Sequence, residues 1–140
     1  MYLVRYLANK FGFAGKTDIE KAYVEMYSEQ IRDLFETYVL AMFEKDEKKK
    51  VEDEARYFNT ILPNNLCFFE KKIADSKSGY LIGNSLTWAD LFLYFCLDFI
   101  GENKVRSSLE NAPNVKKHIQ MIVNYPGILE YLQKRPQTDL

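Results

Sequence analysis

The chain has 140 residues, a net charge of −1 and 47% apolar residues, with 10 Phe and 10 Tyr among them. That is the size of one domain with a full core, and so even a charge balance offers nucleic acid or an anionic membrane no electrostatic attraction. No window approaches the roughly 18 uncharged apolar residues of a transmembrane helix, and Arg5 and Lys10 interrupt the only early apolar stretch that a signal peptide would use.

Met1–Phe11 places Leu3, Val4, Leu7, Ala8 and Phe11 on one helical face, and Gly12 ends it. It begins with no cap, like the tail of an element that starts earlier. Thr17-Asp18-Ile19-Glu20 is a capping box. It opens a long helix, to about Phe43, with Ile19, Ala22, Tyr23, Met26, Tyr27, Ile31, Leu34, Phe35, Tyr38 and Met42 mostly three and four apart. The charged run Glu44–Lys50 reads as a solvated turn or frayed end. A third helix spans Val51–Ala74, and Pro63 should kink it or split it between Leu62 and Asn64.

Thr87-Trp-Ala-Asp90 is a second capping box, with Asp in place of Glu. From Trp88 to Ile100 only Asp90 and Asp98 are charged. A helix without a polar face is a buried one, so Thr87–Ile100 reads as the central core helix, and Thr87 and Asp90 as structural. Gly101–Ala112 reads as irregular. Pro113 starts another helix with Val115, Ile119, Ile122 and Val123 as its apolar stripe. Tyr125-Pro126-Gly127 breaks it, and Ile128, Leu129, Tyr131 and Leu132 fit one more short helix that Pro136 stops. With no convincing strand, the class is all-α, an irregular helical bundle of six or seven helices. Cys67 and Cys96 lie among large apolar residues and read as reduced core thiols. With only His118 besides, they make no metal site, and His118, next to Lys116 and Lys117, reads as a surface residue.

Three separated segments carry a family resemblance. Gly79-Tyr-Leu-Ile-Gly-Asn-Ser-Leu-Thr-Trp-Ala-Asp90 resembles the capping segment in the C-terminal helical domain of cytosolic glutathione transferases. Arg5-Tyr-Leu-Ala8 followed by Phe11-Gly-Phe-Ala-Gly-Lys-Thr17 resembles the passage into that domain from the last helix of their thioredoxin-like domain. Lys134-Arg-Pro-Gln-Thr-Asp-Leu140 resembles the sigma class, which includes glutathione-dependent prostaglandin D synthases. The resemblance implies that residues 1–12 are the remnant of the last thioredoxin-like helix and residues 13–140 the helical domain. It implies that the catalytic Tyr and most of the glutathione site lie in a thioredoxin-like domain outside this sequence, so no catalytic residue is assigned here. The complete protein would conjugate glutathione, a co-substrate and not a cofactor, to hydrophobic electrophiles, or isomerise a prostanoid-like substrate. It would be a cytoplasmic homodimer with no nucleic-acid or membrane partner.

By the same resemblance Asp33 reaches across the dimer toward the γ-glutamyl ammonium of glutathione, a charge-assisted contact. Read from the residues alone, Asp33 is equally part of a solvated face with Glu29, Arg32 and Glu36. Tyr38, Leu40, Met42 and Leu140 are the positions carried over to the electrophile pocket, although residues of these types at helical spacing also fit a core. The alternative is a non-catalytic module that binds a protein or an apolar ligand.

Overall fold

A computed structural model describes residues 1–136, and Leu140 lies outside the described residues. The helices are α1 (Tyr2–Phe11), α2 (Asp18–Met42), α3 (Glu47–Arg56), α4 (Leu62–Ser76), α5 (Trp88–Ile100), α6 (Glu102–Glu110), α7 (Pro113–Val123) and α8 (Pro126–Lys134). A π-helical turn over Tyr57–Ile61 joins α3 to α4 without a break. The described residues therefore form seven helical rods and no strand, the all-α irregular bundle expected from the sequence.

The Thr17 box starts α2 as anticipated. The Glu20 amide donates to the Thr17 hydroxyl at 3.2 Å, and the Glu20 carboxylate accepts from the amides of Thr17 (3.2 Å) and Lys16 (2.6 Å). Two glycines make room for it. A Cβ on Gly15 would meet the Glu20 backbone at 3.0 Å, and one on Gly83 would meet the Glu20 carboxylate at 2.8 Å. Both have positive φ, which a side chain would strain.

Helix α5 packs along α2, while α7 bridges α4, α5 and α6. The core between them is built on Ile31, Leu34, Tyr57, Leu62, Leu66, Phe69, Leu93, Cys96 and Val115. The α5 amide of Trp88 donates to the Phe13 carbonyl oxygen at 2.9 Å, which ties the start of α5 to the loop after α1. Helix α1 itself buries only Ala8.

Six sequence expectations need correction. The third helix begins at Glu47, capped by Asp46, whose carboxylate accepts from the Lys49 amide at 3.0 Å. Its distortion precedes Pro63 instead of following Leu62. Proline lacks an amide and its ring crowds the preceding turn, and one π turn absorbs both effects without breaking the rod. Residues 102–110 are helical, not irregular. Val105 is buried and Leu109 partly so, one turn apart, and a polar surface turn hides that pair in the sequence. Helix α5 is not enclosed on every side, since Phe95 is 48% exposed. Cys67 is exposed while Cys96 is buried. His118 is buried, 1% exposed, because it turns inward toward the 79–87 loop.

Candidate active-site wall

Trp88, Phe92, Phe95 and Phe99 recur three or four apart on α5, one aromatic stripe along the helix. Phe35 of α2 meets it, with ring centroids 5.1 Å from Phe99, 5.6 Å from Phe95 and 6.4 Å from Phe92. Trp88 and Phe92 lie nearly parallel at 6.2 Å. Beside these rings opens a cavity of about 490 Å³. Met1 and Val4 of the first segment, Arg32, Phe35 and Glu36 of α2, and Trp88, Leu91, Phe92 and Phe95 of α5 line it. Its size and apolar walls suit a small aromatic or aliphatic molecule.

One edge is charged. Arg32 lies 2.6 Å from the Glu29 carboxylate, and 3.6 Å from those of Asp33 and Glu36. Glu29 also pairs with Arg5 of α1, whose Nε is 2.6 Å from Glu25. These ion pairs are half exposed, so they set the register of α1 on α2 more than they add stability.

Asp33 is on this charged edge, solvent-exposed and paired with Arg32. Tyr38 is 3% exposed, packed on Tyr57, Phe58 and Phe99, and its hydroxyl accepts from Lys104 at 3.1 Å. Leu40 is exposed beside a separate, more polar groove with Thr37 and Arg56. Met42 packs against the core. The structure brings neither Tyr38, Leu40 nor Met42 to the apolar cavity. The residues that line it were legible as the aromatic spacing of α5, a signal masked by reading that helix as uniformly buried.

Thr87 and Asp90 stand at the start of α5 in a capping box. The Thr87 amide and hydroxyl donate to one Asp90 oxygen at 2.8 and 2.6 Å. None of the tyrosines whose acidity is shifted is set to stabilise a thiolate. Burial pushes the phenols of Tyr27, Tyr57 and Tyr94 up, and a useful donor needs the opposite.

The sequence profile of the glutathione S-transferase C-terminal domain matches residues 32–135. Glutathione S-transferase 1 of Ascaris suum is 34% identical over 97% of this chain and 67% of its own length. A glutathione S-transferase of Plasmodium yoelii yoelii is 29% identical over 97% of this chain and 62% of its own. The solved structure of prostaglandin synthase D of Nilaparvata lugens superposes with a TM-score of 0.88 at 25% identity, over 98% of this chain and 68% of that one. The chain thus spans about two thirds of the length of these proteins.

Proposed function

The chain belongs to the C-terminal domain family of glutathione S-transferases, and from that premise we propose that it is the helical part of a glutathione-conjugating enzyme. In this reading residues 13–140 are the helical domain, and residues 1–12 the last helix of a thioredoxin-like domain. The exposed apolar side chains of α1, Tyr2, Leu3, Tyr6 and Phe11, then face the rest of that domain. The extra third of length in the relatives supports this division.

The observation that carries the functional reading is the aromatic cavity between α2 and α5. A glutathione thiolate attacks a carbon electrophile and a new S–C bond forms; in a substitution the bond to the leaving group breaks and that group departs to solvent with its electron pair, and in an addition the π pair moves onto the acceptor and takes a proton from solvent. The contribution of this chain is to hold the electrophile. Phe35, Phe92 and Phe95 offer ring faces and edges for an apolar body, and Trp88 closes the wall, so water is excluded from the attacked carbon. Electrophile-pocket duty therefore passes from Tyr38, Leu40 and Met42 to Phe35, Trp88, Leu91, Phe92 and Phe95. Asp33 keeps the role of facing the γ-glutamyl ammonium of glutathione on the neighbouring subunit. Membership of the sigma class belongs to the same proposal, supported by the likeness to prostaglandin synthase D, and a two-fold homodimer and a cytoplasmic site are proposed with it from the family. No helix among the described residues is long and apolar enough to cross a membrane.

Trp88 is the only tryptophan, and it sits in the cavity wall, so its fluorescence tests the reading. An aryl halide titrated into the chain should quench Trp88 saturably. Phe95→Arg changes a half-exposed position and places a charge at the rim, and it should weaken that quenching at least several-fold. Quenching that does not saturate, or that Phe95→Arg leaves untouched, would remove the electrophile wall from this cavity.

A further inference from the structure

Asp90 and His118 are both titratable and both buried, 0% and 1% exposed, and neither lines the aromatic cavity. Their hydrogen bonds count protons. Asp90 Oδ2 accepts from the Thr87 amide and hydroxyl, and Oδ1 accepts from the Leu81 amide at 2.8 Å. His118 Nδ1 lies 2.7 Å from the Gly79 carbonyl oxygen. A carbonyl only accepts, so Nδ1 carries a hydrogen and donates. Nε2 then faces Asp90 Oδ1 at 3.6 Å and has no hydrogen-bond partner.

That arrangement fits one proton between Oδ1 and Nε2. With none, a lone pair faces a buried carboxylate whose charge is met by three hydrogen-bond donors and by no cation. With two, an imidazolium N–H and a carboxyl O–H point at each other. Which atom holds the proton is a property of the pair. Burial pushes the Asp90 carboxyl up, while His118, the Leu81 amide and Thr87 pull it back.

Among the described residues neither Asp90 nor His118 forms an ion pair with any other charged group. Helix α4 presents Ile73 and Ala74 to the cleft around His118, and Lys77 and Lys117 stand at its rim, exposed to water. Glu70 of α4 is occupied by Asn114 and Val115. Among the described residues no charged side chain of α6 or α8 forms an ion pair with either group.

We propose that Asp90 and His118 share one proton that locks the segment of residues 77–87 onto α5 and α7, and that losing it or gaining a second releases the segment. The segment buries Leu81, Ile82 and Leu86 and leads directly into Trp88. Its release loosens the α5 end of the aromatic cavity, which makes the fold a pH-sensitive device whether or not the transferase reading holds. Where the open loop holds neither proton, the closed lock holds one more, so closure weakens as pH rises; where the open loop holds both, the closed lock holds one fewer, and closure weakens as pH falls.

His118 is the only histidine, so ¹⁵N-histidine NMR of the chain gives one set of ring signals. At neutral pH these should show Nδ1 protonated. Hydrogen exchange of the Leu81 amide, corrected for intrinsic rates, should show protection greatest at intermediate pH and falling on either side, about tenfold for each unit by which the pair's proton affinity differs between closed and open loop. In His118→Gln the fall above neutral pH should vanish. A neutral ring with the hydrogen on Nε2, Leu81 protection that is flat with pH, or an undiminished fall in His118→Gln would each overturn the lock. If His118→Gln does not fold, the ring spectrum and the Leu81 series of the unaltered chain decide.

Discussion

Removing the Thr87 hydroxyl should cost more than an ordinary helix cap. A capping Thr→Ala change usually costs about 1 kcal/mol. Here the hydroxyl donates at 2.6 Å to the carboxylate of Asp90, and the two residues are 2% and 0% exposed. Water cannot replace the lost donor, and a hydrogen bond taken from a buried acceptor costs about 1–3 kcal/mol. Thr87→Ala should therefore lose about 2 kcal/mol, or roughly 6 °C in Tm for a chain of this length. Thr87→Ser keeps the hydroxyl and deletes one buried methyl, so it should lose less than about 1 kcal/mol. Urea unfolding and thermal scans followed by far-ultraviolet circular dichroism read both variants. An unchanged midpoint for Thr87→Ala, or equal losses for Ala and Ser, would refute the assignment of the energy to this hydroxyl.

Other expectations concern groups away from Thr87. Glu70 accepts from the backbone amides of Asn114 and Val115 at 2.8 and 3.0 Å, and from the Asn114 side chain at 2.6 Å, where α7 starts without a side-chain cap of its own. Glu70→Ala should lower stability to urea by about 1–2 kcal/mol, with Glu70→Gln recovering part; no change would mean that α7 starts without it. Burial pushes the Cys96 thiol up to about 12 while Cys67 is exposed, so a thiol reagent at pH 8 should modify one cysteine in the folded chain and both in denaturant. The hydrogen bond from Lys49, helped by the amides of Asp46 and Lys45, holds the partly exposed Glu44 carboxyl down at about 2. A lowered value stabilises above the usual carboxylate range and loses that effect as pH falls toward 2. In Lys49→Ala the Glu44 carboxyl, followed by ¹³C NMR, should therefore titrate closer to the ordinary value of about 4.3.

The elements that could be read from sequence are those fixed by local chemistry. Thr17 with Glu20, Thr87 with Asp90, and Pro113 at a helix start each announce themselves within four residues. What escaped depends on contacts between distant segments. Helix α6 is polar apart from Val105 and Leu109, and only the core beneath it shows why it coils. His118 is flanked by lysines, and its burial follows from Gly79, 39 positions away. The π turn before Pro63 is one of several ways a helix tolerates proline, and tertiary packing selects among them. The cavity needed Phe35 of α2 to meet the aromatic stripe of α5, a pairing that spacing within either helix does not reveal.

The central claim is that this chain supplies an electrophile wall and that the principal glutathione site is built by other residues. Titration calorimetry of the 140-residue chain with glutathione tests it directly. The account predicts no saturable heat up to millimolar glutathione, under conditions where an aryl halide quenches Trp88. Saturable glutathione binding to this chain alone would contradict it and place a glutathione site among the helices described here.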